Sequence, residues 1–191
     1  MRIFVALDIE EAIRARIERF MEGVRGFAPD IRWVRPESLH VTLKFIGEKP
    51  VDAMEDVKLA LSQVKAAPFE VAFRGYGFFP GVKSPRVFWL GIDAGQQLTK
   101  LAEGVDEALF DRGVPKERHL YSPHLTLARC GSGSPRCKTN APNLRCQHLQ
   151  EKLSGMPSPG FGAMTAREFF LYESKLSPSG SNYTKIARFP L

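Results

Sequence analysis

His40-Val41-Thr42-Leu43 and His124-Leu125-Thr126-Leu127 are two copies of one tetrapeptide, each set in a run of alternating polar and apolar residues. Side chains on a strand alternate between faces. Each copy therefore sends imidazole and hydroxyl to one side and two aliphatic residues to the other. The copies use two of the chain's four histidines. A polar pair repeated in this way predicts one composite site assembled from two halves of the chain. The other two histidines lack that setting. His119 lies in the charged turn Lys116-Glu117-Arg118-His119 and is expected to be exposed, and His148 lies in a basic segment.

Outward from the two tetrapeptides, the chain reads as a mixture of strands and helices. Residues 2–7, 31–34, 39–46, 69–75, 86–92, 123–128, 166–173 and 183–189 have the apolar content of strands. Pro36 separates the second from the third. Ile13, Ile17, Phe20 and Val24 form a helical stripe over 10–24. Met54, Val57, Leu61 and Val64 do so over 52–66, and Leu98, Leu101, Val105 and Leu109 over 97–110. Gly and Pro over 75–85 predict a loop. Residues 130–160 differ in character: they hold all three cysteines and an excess of Lys and Arg. They read as a long basic excursion with one short helix near 143–153. The fold class is α+β. Residues 1–191 are enough for one large domain or two small lobes, and outside the tetrapeptides the halves are not visibly alike.

The formal charge of +6 favours an anionic partner, with RNA or another phosphate ester the simplest, although a basic solvated surface needs no ligand. No stretch is long and apolar enough to cross a bilayer, and the N-terminal run meets Asp8, Glu10 and Glu11 too early for an export signal. A cytoplasmic protein is expected. The odd number of cysteines fits no closed disulfide framework, so free thiols are expected. Cys130, Cys137, Cys146 and His148 are the one alternative set for a metal, but their spacing is not that of a zinc site. No metal and no cofactor are expected.

Two histidines facing one cleft supply an acid and a base for a phosphodiester, because imidazole titrates near neutrality. A threonine hydroxyl two residues along the same strand can donate to a non-bridging phosphate oxygen.

At these residues the chain resembles a known family. The stretch Arg32-Trp-Val-Arg-Pro-Glu-Ser-Leu-His-Val-Thr-Leu-Lys-Phe-Ile-Gly47 is similar to the first signature of the 2H phosphoesterases. The nearest branch is the RNA 2′,3′-cyclic phosphodiesterases, also called the 2′-5′ RNA ligase family. Tyr121-Ser-Pro-His-Leu-Thr-Leu-Ala-Arg129 resembles the second signature, and Arg2 to Leu7, Arg86 to Gly91 and the C-terminal strands resemble further family elements. The resemblance implies two lobes, each a small antiparallel sheet flanked by helices, with the active-site cleft between them. It implies metal-independent hydrolysis of an RNA 2′,3′-cyclic phosphate to a 2′-phosphomonoester. His40 matches the proton donor to the departing oxygen and His124 the proton acceptor from water. Thr42 and Thr126 match the phosphate-oxygen donors, and Arg129 matches a phosphate contact. Residues 130–160 depart from the family pattern.

Phe45, just past the first motif, is a candidate to stack a terminal base on the face of His40 and Thr42, with a core Phe the alternative. Partners are RNA 3′ ends or small cyclic-phosphate nucleotides, met by a monomer. Two other functions use the same residues: joining tRNA halves through a 2′-5′ linkage, and non-catalytic binding of RNA ends. The presence of two histidines, where binding needs only cations, favours hydrolysis over binding.

Overall fold

The computed structural model describes residues 1–131, 144–177 and 180–191. Its elements run β1 (Arg2–Leu7), α1 (Glu11–Arg25), β2 (Arg32–Trp33), β3 (Val41–Glu48), α2 (Met54–Ser62), β4 (Phe69–Phe79) and β5 (Val87–Asp93). There follow α3 (Gln97–Phe110), β6 (His124–Arg129), α4 (Gln147–Ser154), β7 (Gly160–Ala166), β8 (Glu168–Ser177) and β9 (Gly180–Pro190). This is the α+β arrangement expected. The strands form two antiparallel sheets, one in the order β3-β1-β8-β9 and the other β2-β6-β5-β4-β7.

The connectivity contains a repeat. β1–α1–β3 and β5–α3–β6 are each a helix bracketed by two strands that pair antiparallel, and each ends on a His-x-Thr strand. After the first unit the chain passes α2 and lays β4 beside β5 in the other sheet. After the second it passes α4 and β7 and lays β8 beside β1. The first sheet is thus completed by β8 and β9 from beyond the second unit, and the second by β4 and β7 together with β2, which lies within the first unit between α1 and β3.

One buried cluster spans both sheets. It takes Leu7 and Val41 from the first, Leu90 and Leu125 from the second, and Ile17 and Leu101 from helices. The stripe on α1 is Ile13, Ile17, Met21 and Val24, with Phe20 only partly buried beside it. On the opposite face of the first sheet lies a smaller cluster of Phe4, Ala6, Phe170 and Tyr172, with Tyr183 packed on it.

Several expectations need correction. The Gly/Pro loop over 75–85 is shorter, because β4 runs on to Phe79. Gly75 carries a positive φ of 71° where the register slips between Phe73 and Tyr76, so glycine there permits a bulge rather than a turn. β7 was missed: its Gly160-Phe-Gly-Ala-Met-Thr-Ala has few of the β-branched and aromatic residues that mark strands. The expected helix over 52–66 is confined to Met54–Ser62 after a 3-10 turn at Val51–Ala53.

Cys130 and Cys146 are not free thiols; they are joined in a disulfide. The fold brings the end of β6 against the 3-10 turn at Leu144–Cys146 that leads into α4, and both residues are buried. Sequence separation carries no trace of that approach. With two thiolates consumed and His148 exposed, the Cys₃His set is not assembled; Cys137 lies outside the described residues. So do residues 132–143 of the basic excursion, whose described part holds the expected short helix, α4.

Candidate active site

Each His-x-Thr strand is entered in the same way. His40 Nδ1 bonds the backbone carbonyl of Ser38 at 2.7 Å, and His124 Nδ1 bonds that of Ser122 at 2.8 Å. A carbonyl only accepts, so Nδ1 carries the hydrogen and Nε2 of each neutral ring holds a lone pair. Neither Nε2 has a protein partner among the described residues, and neither do the Thr42 and Thr126 hydroxyls. The aliphatic partners Val41, Leu43, Leu125 and Leu127 are buried on the far side.

Both strands then bulge at the same place. Val5 pairs with Lys44 and Ala6 with Thr42, which leaves Leu43 as the extra residue. Phe88 pairs with Ala128 and Trp89 with Thr126, which leaves Leu127. The burial patterns match: Leu43 and Lys44 are both buried, as are Leu127 and Ala128. On a regular strand the fifth residue after the histidine would face away from it. One extra residue reverses the alternation and turns Phe45 and Arg129 outward, to the side of the histidines. Phe45 is 56% exposed, so it is not a core residue. Its ring contacts Phe4 at 6.0 Å, and Phe4 in turn lies 4.8 Å from His40.

The two halves meet. β3 and β6 are in contact, and Tyr121, just before β6, donates its hydroxyl to the Thr42 carbonyl at 2.8 Å. The Arg129 charge reaches His40 across this junction. His40, Thr42, His124, Thr126 and Arg129 are therefore gathered at one place, with Phe45 at its edge.

The surroundings differ. His40 is enclosed by Phe4, by Tyr183 edge-on at 5.1 Å and by Tyr172 at 6.3 Å. Burial pushes its pKa down to about 4; the Ser38 carbonyl and Asp8 work against the shift, and Arg129 and Arg14 add to it. The residue as a whole is half-buried, so solvent still reaches it. Behind it Arg14 binds Asp8 at 2.7 Å and the carbonyls of Pro36 at 2.5 Å and Leu39 at 3.4 Å, which holds the segment that presents His40. Lys185 pairs with the other Asp8 oxygen at 2.5 Å. His124 stands edge-on to Phe79 at 5.0 Å, with Trp89 beyond at 6.5 Å. Trp89 lies flat over Gly77, where a Cβ would come within 2.2 Å of the indole. Burial raises the pKa of both Tyr121 and Tyr172, so both remain neutral donors. Among the described residues no three His, Cys, Asp or Glu stand together as a metal would require.

The sequence reading missed Arg14, Asp8, Tyr172, Tyr183 and the lobe-crossing role of Tyr121. One signal was visible: Ser precedes His by two in both copies, at Ser38 and Ser122. His119 is exposed, as expected, and so is His148.

Comparison with known proteins bears on the whole chain. The model of the family LigT like Phosphoesterase matches twice in succession, over residues 7–89 and 90–183, one match for each His-x-Thr strand. An RNA 2′,3′-cyclic phosphodiesterase of Archaeoglobus fulgidus is 32% identical over 189 residues, 99% of each chain. Another, of Thermus thermophilus, is 34% identical over 202 residues, covering 100% of this chain and 90% of that one. The crystal structure of E. coli LigT complexed with 3′-AMP shares 25% identity and superimposes with a TM-score of 0.78, over 100% of this chain and 97% of that one.

Proposed function

The chain belongs to the LigT-like phosphoesterase family, and from that membership we propose that it hydrolyses RNA 2′,3′-cyclic phosphate ends to 2′-phosphomonoesters. Two histidines do the proton transfers and no metal takes part. Water attacks phosphorus opposite the departing 3′ oxygen. His124 Nε2 takes a proton from that water, and protonated His40 gives one to the 3′ oxygen as its bond to phosphorus breaks. The Thr42 and Thr126 hydroxyls donate to the non-bridging oxygens, whose charge the Arg129 guanidinium offsets. Proton exchange with solvent resets the pair.

The observation that carries this reading is the matched pair of Nδ1–carbonyl bonds, at Ser38 and Ser122. They fix the tautomer that an acid–base pair needs, with each Nε2 left for substrate. The low pKa of His40 belongs to the empty cleft. A phosphodiester anion beside it favours the imidazolium, so His40 takes up its proton as substrate binds.

The test is an oligonucleotide ending in a 2′,3′-cyclic phosphate, incubated with enzyme in EDTA. Turnover to a 2′-phosphate is expected. Loss of activity in EDTA, or a 3′-phosphate product, overturns the mechanism.

A further inference from the structure

A depression opens beside Phe45, whose ring lies 6.0 Å from that of Phe4, which in turn lies 4.8 Å from His40. Its volume is about 390 Å³, and Lys44, Phe45, Ile46 and the run Val114 to His119 line it. Lys44 sets its floor. That side chain is only 3% exposed, pairs with Asp106 and Glu117, and donates to the Pro115 carbonyl at 2.7 Å. The Glu117 N–H donates to Asp106 at 3.3 Å. The acidic groups at this wall are thus committed to Lys44 and to the backbone, and they hold the 115–117 segment against β3.

The cations on that segment are not so committed. Lys116, Arg118 and His119 are exposed and make no ion pair with a carboxylate among the described residues. Lys116 lies over the exposed Phe110 ring at 5.3 Å. Leu120, next in the chain, is 95% exposed, and Tyr121 then returns to the junction beneath Thr42. The exposed Phe45 ring, which reaches His40 through Phe4, therefore stands between that histidine and a groove edged by Lys116, Arg118 and His119. Single-stranded nucleic acid is held by this combination of ring faces for bases and cations along a backbone.

We propose that this groove is the subsite for the RNA strand leading to the reacting end: Phe45 stacks a base at the junction, and Lys116 and Arg118 bind the phosphates of the nucleotides next in line. The inference rests on the proposed hydrolysis for its substrate class, and it makes the enzyme selective for oligonucleotides over cyclic mononucleotides.

The experiment compares kcat/KM for a 2′,3′-cyclic mononucleotide with that for a pentanucleotide carrying the same cyclic end. The wild type and the K116E/R118E double variant are measured over a range of salt. The wild type is expected to favour the pentanucleotide roughly ten- to hundredfold, as a stacked base and backbone contacts warrant. In K116E/R118E that ratio collapses toward one, and the log–log salt slope for the pentanucleotide flattens by about one unit. Equal rates for the two wild-type substrates, or an unchanged ratio in the variant, overturns the groove. If neither substrate turns over, the hydrolysis reading fails by itself. Fluorescence anisotropy with a 2′-phosphate-ended pentanucleotide then decides the groove alone: weaker binding by the variant supports it, and equal binding removes it.

Discussion

Across from Thr42 in the first sheet sits Ala6, and across from Thr126 in the second sits Trp89. The backbones on which these pairs stand are alike. Each has a serine carbonyl holding Nδ1, and each bulges one residue past the threonine. What differs is the packing. Small Ala6 leaves room for rings from neighbouring strands, and Phe4, Tyr172 and Tyr183 close around His40. On the other side the indole of Trp89 fills that space, helped by Gly77, and among the described residues the rings of Phe79 and Trp89 are those that stand against His124. The bulges repeat the difference, turning out Phe45 from one strand and Arg129 from the other. In the proposed mechanism, duplicated geometry sets where the protons are handled. Unlike neighbours decide how tightly each is held, and whether the substrate meets a ring or a charge.

The strongest way to break the comparison is to remove one histidine at a time. His40→Ala and His124→Ala are each expected to lower kcat by about 10²–10⁴, the usual worth of one positioned proton transfer. Because the two act as a unit, the double variant loses less than the product of the two factors. Single-turnover assays on a cyclic-phosphate oligonucleotide measure all three. If either single variant kept wild-type turnover, the two strands would not form one acid–base site.

A smaller loss comes from the bulge-turned residues. Arg129→Ala removes a charged donor and is expected to cost roughly 10- to 100-fold in kcat/KM, in line with charge-assisted hydrogen bonds. Phe45→Ala removes a stacking face and should act mainly on KM for oligonucleotides, by about tenfold. Similar effects of the two variants on kcat would erase the distinction between the charged and the aromatic side. These residues also mark how far the sequence could be read. The helices were legible because stripes such as Leu98, Leu101, Val105 and Leu109 repeat at helical spacing and need only one buried face. The two His-x-Thr strands were legible because alternation over four residues is local. The bulge was not, since it depends on register against β1 and β5; plain alternation turns Phe45 and Arg129 away from the histidines, so the expected place of Phe45 on the His40 face holds only because of the bulge. The disulfide and the Tyr121 bridge stayed hidden for the same reason: each joins segments that only the tertiary fold brings together.

The pH dependence sharpens the comparison on the His40 side. With His40 as the proton donor, a ring held down to about 4 makes kcat/KM fall as pH rises above about 4, and this limb reports the pair in the free enzyme. Tyr183→Ala admits water to His40 and moves the limb upward by about one unit. Stability runs the other way. Between pH 6.5 and about 4 the unfolded chain binds the proton that folded His40 refuses. The protein therefore loses stability as pH falls through that window. The loss is at most about 3 kcal/mol, and less because the ring is partly open to water. Denaturant titrations at several pH values, with His40→Gln as the variant that lacks the slope, measure it. An equal slope in His40→Gln assigns the acid sensitivity elsewhere.

The least effect is expected three residues before each histidine, where the halves carry Glu37 and Tyr121. The Glu37 side chain is 66% exposed and reaches only Arg35, at 3.5 Å. Tyr121 points inward and crosses the junction to the Thr42 carbonyl. Tyr121→Phe keeps the ring and deletes the donor, so it costs about 1 kcal/mol, the net worth of one hydrogen bond between neutral groups. In a chain of this length that is a fall in Tm of about 2–4 °C. Glu37→Gln, in a surface pair of little net value, should leave Tm within experimental error. Thermal unfolding of the two variants side by side is enough. A larger loss in Glu37→Gln than in Tyr121→Phe would mean that the junction is held from the first half, not by the single hydroxyl that the second half sends across.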